Sequence, residues 1–200
     1  MKGSLIIVGF FVLGTICGVC HLLPFDIAET NISYYALCAL MFSVGLSVGN
    51  DPQTLKNFRS LNPRLVFLPI MTILGTLAGS AAVSLILTHR SITDCLDVGS
   101  GFGYYSLSSI FITEYKGAEL GTIALLANIS REILTLLAAP LLVRWFGNLA
   151  PISAGGATTM DTTLPIITRT AGQQFVVVSI FHGFVVDFSV PFLVTLFCSI

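Results

Sequence analysis

Two charged residues lie deep inside an apolar run, Arg131 and Glu132 near the centre of LGTIALLANISREILTLLAAPLLVRW. A charged side chain at mid-membrane costs about 2.5 to 3.5 kcal/mol on insertion scales and normally faces protein or a water-filled cavity. Asn128, Glu132 and Thr135 share one helical face at i, i+4 and i+7, whereas adjacent residues point about 100° apart. Glu132 is therefore predicted to belong to a polar stripe that faces the interior of a helical bundle.

The sequence leaves two interpretations of this pair open. In the structural one, Arg131 and Glu132 are each satisfied by a neighbouring helix. In the functional one, the Glu132 carboxylate binds a cation or a proton and exchanges one for the other, with Arg131 and Asn128 as further candidates for the site.

Two glycine-rich stretches flank this helix, GSGFGYYSLSS at 99–109 and SAGGATTMDTTLPIITRT at 153–170. Glycine lets the backbone bend, and non-helical backbone at membrane depth persists only where protein or water surrounds it. We predict that each stretch interrupts a helix and that together they enclose a site beside Glu132. The residues of these predicted interruptions are Gly99, Gly101, Gly103, Tyr104, Tyr105, Ser106, Gly155, Gly156, Thr158 and Thr159.

Within these stretches, particular side chains have predicted roles. Ser106 is expected to cap the helix that follows it, while Tyr104 and Tyr105 line the cavity. Thr158 and Asp161 have the T-x-x-D spacing of a capping box, which satisfies free amides at a helix start. Asp161 can serve only as that cap, or it can join Glu132 in binding; both interpretations stay open.

The remaining polar candidates are weaker. Glu114 ends the segment that follows GSGFGYYS and is kept as a candidate site residue. His182 and Asp187 are five residues apart, hence about 140° around a helix, so they should not act as a pair. Asp187 could line a pathway, because a carboxylate avoids lipid.

Several cofactor and enzyme motifs were considered. CGVCH at 17–21 matches the C-x-x-C-H attachment sequence of c-type haem, but it lies at the end of an apolar run and is short enough to arise by chance. The glycines at 99–103 do not fit G-x-G-x-x-G, and there is no G-x-S-x-G elbow or His/Glu metal cluster. We expect no cofactor, no metal ion, no nucleic-acid partner and no enzyme activity.

Composition identifies a membrane protein. The 200 residues are 54% hydrophobic and 10% charged, against about 25% charged residues in soluble domains. Runs near 20 apolar residues span a bilayer as helices, and five qualify, at 3–23, 32–49, 65–88, 120–147 and 174–199. The predicted fold is all-α integral membrane, with these five spanning helices and two interrupted segments at about 91–116 and 150–169. It forms one transport domain over residues 1–200.

Lysine and arginine predict the orientation, because they accumulate in cytoplasmic loops. The loop at 50–64 carries Lys56, Arg59 and Arg64, which places the N-terminus in the cytoplasm and the C-terminus outside. The interrupted segments can either re-enter or cross. Lys116 is outside and Arg144 inside if both re-enter, and the two exchange sides if both cross.

The sequence resembles the lysine exporter (LysO) family of bacterial inner-membrane proteins over essentially the whole chain. The resemblance rests on SGFGYYSLSSIFITE at 100–114, ANISREIL around residues 131 and 132, GATTMDTTLPIITRTAG at 156–172 and HGF at 182–184, in family order and spacing. It implies export of L-lysine and analogues such as thialysine, by exchange with protons. It also implies distant kinship with transporters built from inverted repeats and interrupted helices.

Full-length family members also carry membrane segments ahead of the part matched here. A separate small membrane subunit could supply them, or the chain could work as a homo-oligomer. In related architectures, half-helix N-termini face the anionic groups of the substrate. Amides after GSGFG and SAGGA could therefore take the lysine carboxylate, while Glu132 and Asp161 take its ammonium groups. The alternative function is a channel or structural subunit of a membrane complex; a redox subunit would depend on CGVCH alone.

Overall fold

The computed structural model describes residues 13–14, 16–20, 35, 63–87 and 89–200. The chain divides into two compact units, Met1–Asp51 and Pro52–Ile200. In the first unit, residues 16–19 are helical. The predicted spans 3–23 and 32–49 lie largely outside the described residues, as do the loop carrying Lys56 and Arg59 and His21 of CGVCH. The prediction of one domain over the whole chain stays a prediction.

Seven α-helices form the described part of the second unit, joined by short 3-10 segments at Pro63–Val66, Gly156–Met160 and Gln173–Phe175. They are α1 Phe67–Ser84, α2 Ile92–Gly99, α3 Tyr105–Lys116, α4 Ala118–Phe146, α5 Ala150–Gly155, α6 Leu164–Ala171 and α7 Val176–Cys198. The described residues contain no strand. Three helical stretches are long and apolar enough to cross a membrane: Phe67–Ser84, Ala118–Phe146 and Gln173–Cys198. The predicted all-α membrane fold is confirmed.

The first interrupted segment consists of α2 and α3. Ser91 starts α2 with a capping box to Asp94, which satisfies the first amides of a short helix. The helix ends at Gly99, and Phe102 and Gly103 then adopt positive φ angles of 45° and 96° before α3 begins. A left-handed pair of residues cannot continue a right-handed helix, so the chain changes direction here.

The start of α2, the end of α3 and the start of α4 lie at the same end of the unit. Arg90, just before α2, forms an ion pair with Glu119 in the first turn of α4. The helices α3 and α4 are joined by Gly117 alone and pack side by side, so closely that a Cβ on Gly121 would overlap Thr113 of α3. Lys116 interacts electrostatically with Cys198, which places the end of α7 there as well.

The second interrupted segment comprises α5, the 3-10 turn after it and α6. It begins and ends at the other end of α4. An apolar core there joins Ile152 of α5, Ile167 and Ala171 of α6 and Val178 of α7, with Leu65, Leu68 and Val143 packed against them. The two interrupted segments therefore enter the bundle from opposite ends of the long helices.

Candidate functional site

The two interrupted segments meet backbone to backbone in the middle of the bundle. The Ala157 N–H donates to the Phe102 carbonyl at 2.9 Å. Gly156 has φ +63°, and a Cβ there would overlap that same carbonyl oxygen. A Cβ on Gly103 would lie 3.2 Å from the Gly155 carbonyl oxygen. Glycine is required at Gly156, since both its conformation and its contact exclude a side chain.

Asn128 of α4 holds the first interruption together. Its Oδ1 accepts from the Gly103 N–H at 2.7 Å, and its Nδ2 donates to the Val98 carbonyl at 3.2 Å and to the Ala124 carbonyl at 2.9 Å. The amide thus bonds the end of α2 and the turn before α3 at once, and both of its N–H groups have a partner. This arrangement favours a structural role for Asn128.

Arg131 is anchored to α5 and not to Glu132. Its Nε donates to the Ala154 carbonyl at 2.8 Å and its Nη2 to the Ser153 carbonyl at 3.0 Å. The guanidinium also lies 6.0 Å from the centroid of the Phe102 ring. Because both carbonyls lie in the last turn of α5, the arginine neutralises the negative end of that helix dipole. These contacts fit the structural interpretation of Arg131.

The predicted polar stripe of α4 is confirmed. Asn128, Glu132 and Thr135 are exposed by only 4%, 5% and 2%, while Ile133 and Leu134 between them are exposed. The carboxyl of Glu132 lies next to the Thr162 side chain. The Thr162 hydroxyl is buried and has no hydrogen-bond partner in the described part of the chain. The Glu132 carboxyl and the Thr162 hydroxyl are therefore neighbours in the interior.

Asp161 interacts with two other carboxylates beside the crossing of the segments. Asp161 interacts electrostatically both with Glu132 of α4 and with Asp187 of α7. Asp187 is buried, with 5% of its surface exposed. We call Glu132, Asp161 and Asp187 the acidic cluster. Asp187 was predicted only as a possible wall of a pathway, because helical periodicity within α7 says nothing about which residues of other helices it faces.

Two tyrosines at the start of α3, Tyr104 and Tyr105, interact electrostatically with the acidic cluster. Tyr104 interacts with Asp161 and Asp187, and Tyr105 with Glu132 and Asp161. Both rings are partly buried. Neither ring lines the cavity described below, so their role as cavity walls stays a prediction.

The capping role predicted for Ser106 is wrong. The helix α3 begins at Tyr105, so Ser106 lies inside its first turn, and no side chain caps this N-terminus. The hydroxyl that bonds locally is that of Ser108, which donates to the Tyr104 carbonyl at 2.8 Å. The first-turn amides of α3 thus have no side-chain acceptor, as a helix N-terminus that binds an anion requires.

The capping box predicted for Thr158 and Asp161 is also wrong. Thr158 lies in the 3-10 turn Gly156–Met160, where its hydroxyl donates to the Gly155 carbonyl at 2.9 Å. The next helix starts later, at Leu164. Asp161 instead accepts the N–H of Thr162.

The structure separates Glu114 from the other candidates. It is exposed on α3, and no described contact joins it to Glu132 or Asp161. Thr159, by contrast, lies in the core beside the crossing, where its hydroxyl donates to the Gly156 carbonyl at 2.8 Å. Gly99 is tightly packed, because a Cβ there would overlap Ser80 of α1, and Gly101 has Asn128 against it.

His182 is a structural histidine at the contact between α1, α7 and the 3-10 turn. It is fully buried, with Nε2 at 2.9 Å from the Thr72 hydroxyl and Nδ1 at 3.2 Å from the Thr159 hydroxyl. Both ring nitrogens therefore have a partner. A Cβ on the adjacent Gly183 would lie 2.7 Å from the Met160 nitrogen, which explains why this position is glycine.

A separate cavity of about 550 Å³ lies between α1, α2 and α4. Apolar side chains such as Val83, Leu87 and Ile123 dominate its walls, and it reaches Asn128 and Arg131 at its inner end. The acidic cluster does not line it. The cavity and the cluster are thus separate.

Comparisons with known proteins agree on one family. The family described as lysine exporter LysO matches residues 8–198. The chain is 36% identical over 196 residues to the lysine exporter LysO of Escherichia coli K12, covering 98% of this chain and 64% of that protein. It is 34% identical over 196 residues to the "Putative lysine exporter" of Haemophilus influenzae, covering 98% of this chain and 96% of that protein. No solved structure matches the chain.

Proposed function

The chain belongs to the lysine exporter LysO family, and we propose that it is a secondary transporter that exports L-lysine across the bacterial inner membrane. The chain spans 64% of the length of the Escherichia coli relative. Lysine export is therefore a proposal for this chain. The observation that carries the proposal is the acidic cluster beside the crossing of two interrupted helices.

The acidic cluster suits the cationic groups of lysine. Lysine carries two ammonium groups and one carboxylate, and charge-assisted hydrogen bonds to carboxylates are the strongest that such ammonium groups can make in a protein. The three carboxylates lie on three segments: Glu132 on α4, Asp161 in the turn that precedes α6, and Asp187 on α7. A lysine bound by all three would therefore contact all three segments. We propose that Glu132 and Asp161 take the ammonium groups and that Asp187 supplements them.

The N-terminus of α3 suits the lysine carboxylate. Its first-turn amides lack a side-chain cap and lie beside Tyr104 and Tyr105, which interact electrostatically with the acidic cluster. The amides after SAGGA fit less well, because the Ala157 N–H already bonds Phe102. Interrupted helices place substrate groups in this way in other transporters.

We infer that both interrupted segments re-enter, from opposite sides of the membrane. The Arg90–Glu119 ion pair supports this for the segment 91–116, since it joins the residue before α2 to the first turn of α4. The apolar core of Ile152, Ile167 and Val143 supports it for the segment 150–169. With the loop at 50–64 in the cytoplasm, the first segment enters from outside and the second from inside.

Cysteine accessibility tests this topology. In a chain without its native cysteines, we expect Lys116→Cys to react with a membrane-impermeant maleimide from outside and Arg144→Cys only from inside. Arg90→Cys and Arg169→Cys serve as references, because both topologies place the first outside and the second inside. Labelling of Lys116→Cys from inside and Arg144→Cys from outside would instead show that the segments cross.

Exchange with protons and a substrate range that includes thialysine belong to the same proposal. Thialysine keeps the charges of lysine and replaces one methylene by sulfur, so a site built on charge should accept both. A buried carboxylate that alternates between an ammonium group and a proton would couple the two flows. The protein could also need a small membrane subunit, or a second copy of the chain, for transport. The efflux assay with and without the subunit tests the first of these.

Efflux of labelled lysine from cells that express the chain tests the proposed function. We expect efflux of lysine and thialysine, but not of norleucine, which lacks the side-chain ammonium, or of cadaverine, which lacks the carboxylate. The assay is run with and without the candidate small subunit. Ion conductance in bilayers without lysine selectivity would favour the alternative function, a channel.

A further inference from the structure

A further buried carboxyl lies apart from the acidic cluster, on α2. Asp97 has no exposed surface, and neither of its carboxylate oxygens has a hydrogen-bond partner in the described part of the chain. A buried carboxylate anion without a donor is among the least favourable groups in a protein. The sequence around it, TDCLDVGSG, does not mark Asp97 as a buried residue. The segment contains several polar residues, so a charged residue is not unusual there.

The surroundings of Asp97 disfavour a negative charge. Asp97 lies in the last turn of α2, and the thiol that interacts with it, Cys198, is the last residue of α7. Both helix C-termini carry negative partial charge. A neutral carboxyl avoids this repulsion, although the Cys198 thiol, a weak donor, can donate to an anion.

Few ionisable groups of the described residues face Asp97. Asp94 on its own helix repels an anion, and Lys116 at the end of α3 attracts one but forms no ion pair in the described structure. The helix α1 contains no ionisable side chain. On α4, Glu119 pairs with Arg90, Arg131 bonds the α5 carbonyls and Glu132 lies next to Thr162.

We propose that Asp97 is a proton-carrying residue of this protein, separate from the acidic cluster. It holds a proton while α2 and α7 pack as they do here, and it releases the proton when that contact opens to water. The position suits this role, because Asp97 lies at the end of the bundle that holds Arg90 and Lys116, which the proposed topology places outside. Protonation follows from the site itself, whereas the release step rests on the proposed export function.

Carbodiimide labelling tests the protonated state. The carboxyl O–H adds across a C=N bond of dicyclohexylcarbodiimide, with its proton on nitrogen and its oxygen on carbon, and acyl migration then gives a stable N-acylurea. Only the neutral acid reacts. By peptide mass spectrometry of the purified chain at about pH 5, we expect about tenfold more adduct on Asp97 than on half-buried Asp94 of the same helix. Asp97→Asn should remove the adduct, and Asp94→Asn should leave it.

If dicyclohexylcarbodiimide cannot reach Asp97, the unfolding temperature measured as a function of pH tests whether Asp97 is protonated. Asparagine mimics the neutral acid, so Asp97→Asn should unfold at the wild-type temperature in acid and at a higher temperature in alkali, where wild-type Asp97 must ionise. Asp97→Asn that unfolds at a lower temperature than wild type at neutral pH would overturn the proposal, because it would show an ionised Asp97 stabilised by Lys116.

The pH profile of lysine efflux tests the release step. With Asp97→Asn, we expect efflux to lose its dependence on external pH, while Asp94→Asn keeps the wild-type profile. An unchanged profile in Asp97→Asn would remove the release step and leave the protonated site intact. If wild type exports no lysine at all, the proposed function fails, but the labelling and stability results still stand.

Discussion

Glu132→Gln should lower lysine efflux by about ten- to a hundredfold while the protein still inserts. Glutamine keeps the shape of the side chain but cannot be an anion, and hydrogen bonds to charged groups contribute about 1.5 to 3 kcal/mol each. Glu132 is the member of the acidic cluster that α4 presents at the crossing of the two segments. Efflux of labelled lysine, corrected for the amount of protein in the membrane, measures the effect.

Glu119→Gln is the matched control, because it changes the same residue type on the same helix. Glu119 is exposed and pairs with Arg90, and exposed ion pairs contribute only about 0.2 to 1 kcal/mol. Its efflux should therefore stay close to that of wild type. Undiminished efflux in Glu132→Gln would remove this carboxylate from substrate binding and leave it as a structural group.

Gly156→Ala should destabilise the protein and abolish efflux, because it forces the two segments apart. The alanine Cβ would overlap the Phe102 carbonyl, and φ +63° is unfavourable for any residue with a Cβ. Backbone strain costs about 1 to 3 kcal/mol and overpacking about as much again. Thermal unfolding in detergent, together with lysine efflux, measures both consequences.

Gly147→Ala separates the contact from the backbone strain. Gly147 also has a positive φ, +87°, but no atom lies within 4 Å of a Cβ placed there. Gly147→Ala should therefore lower the free energy of unfolding only by the cost of the backbone strain, and it should keep most of its lysine efflux. Equal losses in the two variants would show that the contact between Gly156 and Phe102 does not hold the crossing together.

The sequence predicted the elements of this fold better than their contacts. Helical spacing alone placed Asn128, Glu132 and Thr135 on one buried face, because a polar stripe on an apolar helix has few alternatives. The glycines also located both interruptions, since residues at positive φ end a helix wherever it lies. These signals are local, so a single sequence contains them.

Contacts between segments could not be read in the same way. Thr158 and Asp161 have the spacing of a capping box. However, Thr158 lies within the 3-10 turn, and the next helix begins only at Leu164. The partners of Arg131 are carbonyls of α5, which no side-chain pattern identifies. Asp187 joined the acidic cluster only through the packing of α7 against the turn that carries Asp161.

The two interrupted segments are held to α4 as well as to each other. In the described part of the chain, one backbone hydrogen bond joins them, from the Ala157 N–H to the Phe102 carbonyl. Asn128 of α4 bonds the first segment, and Arg131 of α4 bonds the second. The helix α4 is therefore the common support of both segments.

The most direct test is lysine efflux from proteoliposomes that contain only the purified chain. With labelled lysine inside and an acidic solution outside, the account predicts lysine efflux that accelerates with the imposed proton gradient and alkalinisation of the external solution as protons enter. It also predicts that Glu132→Gln lowers both flows by about ten- to a hundredfold, while Glu119→Gln retains them. Efflux of lysine without proton movement would contradict the exchange, and the absence of lysine efflux from well-inserted wild-type protein would contradict the central claim that this chain exports lysine.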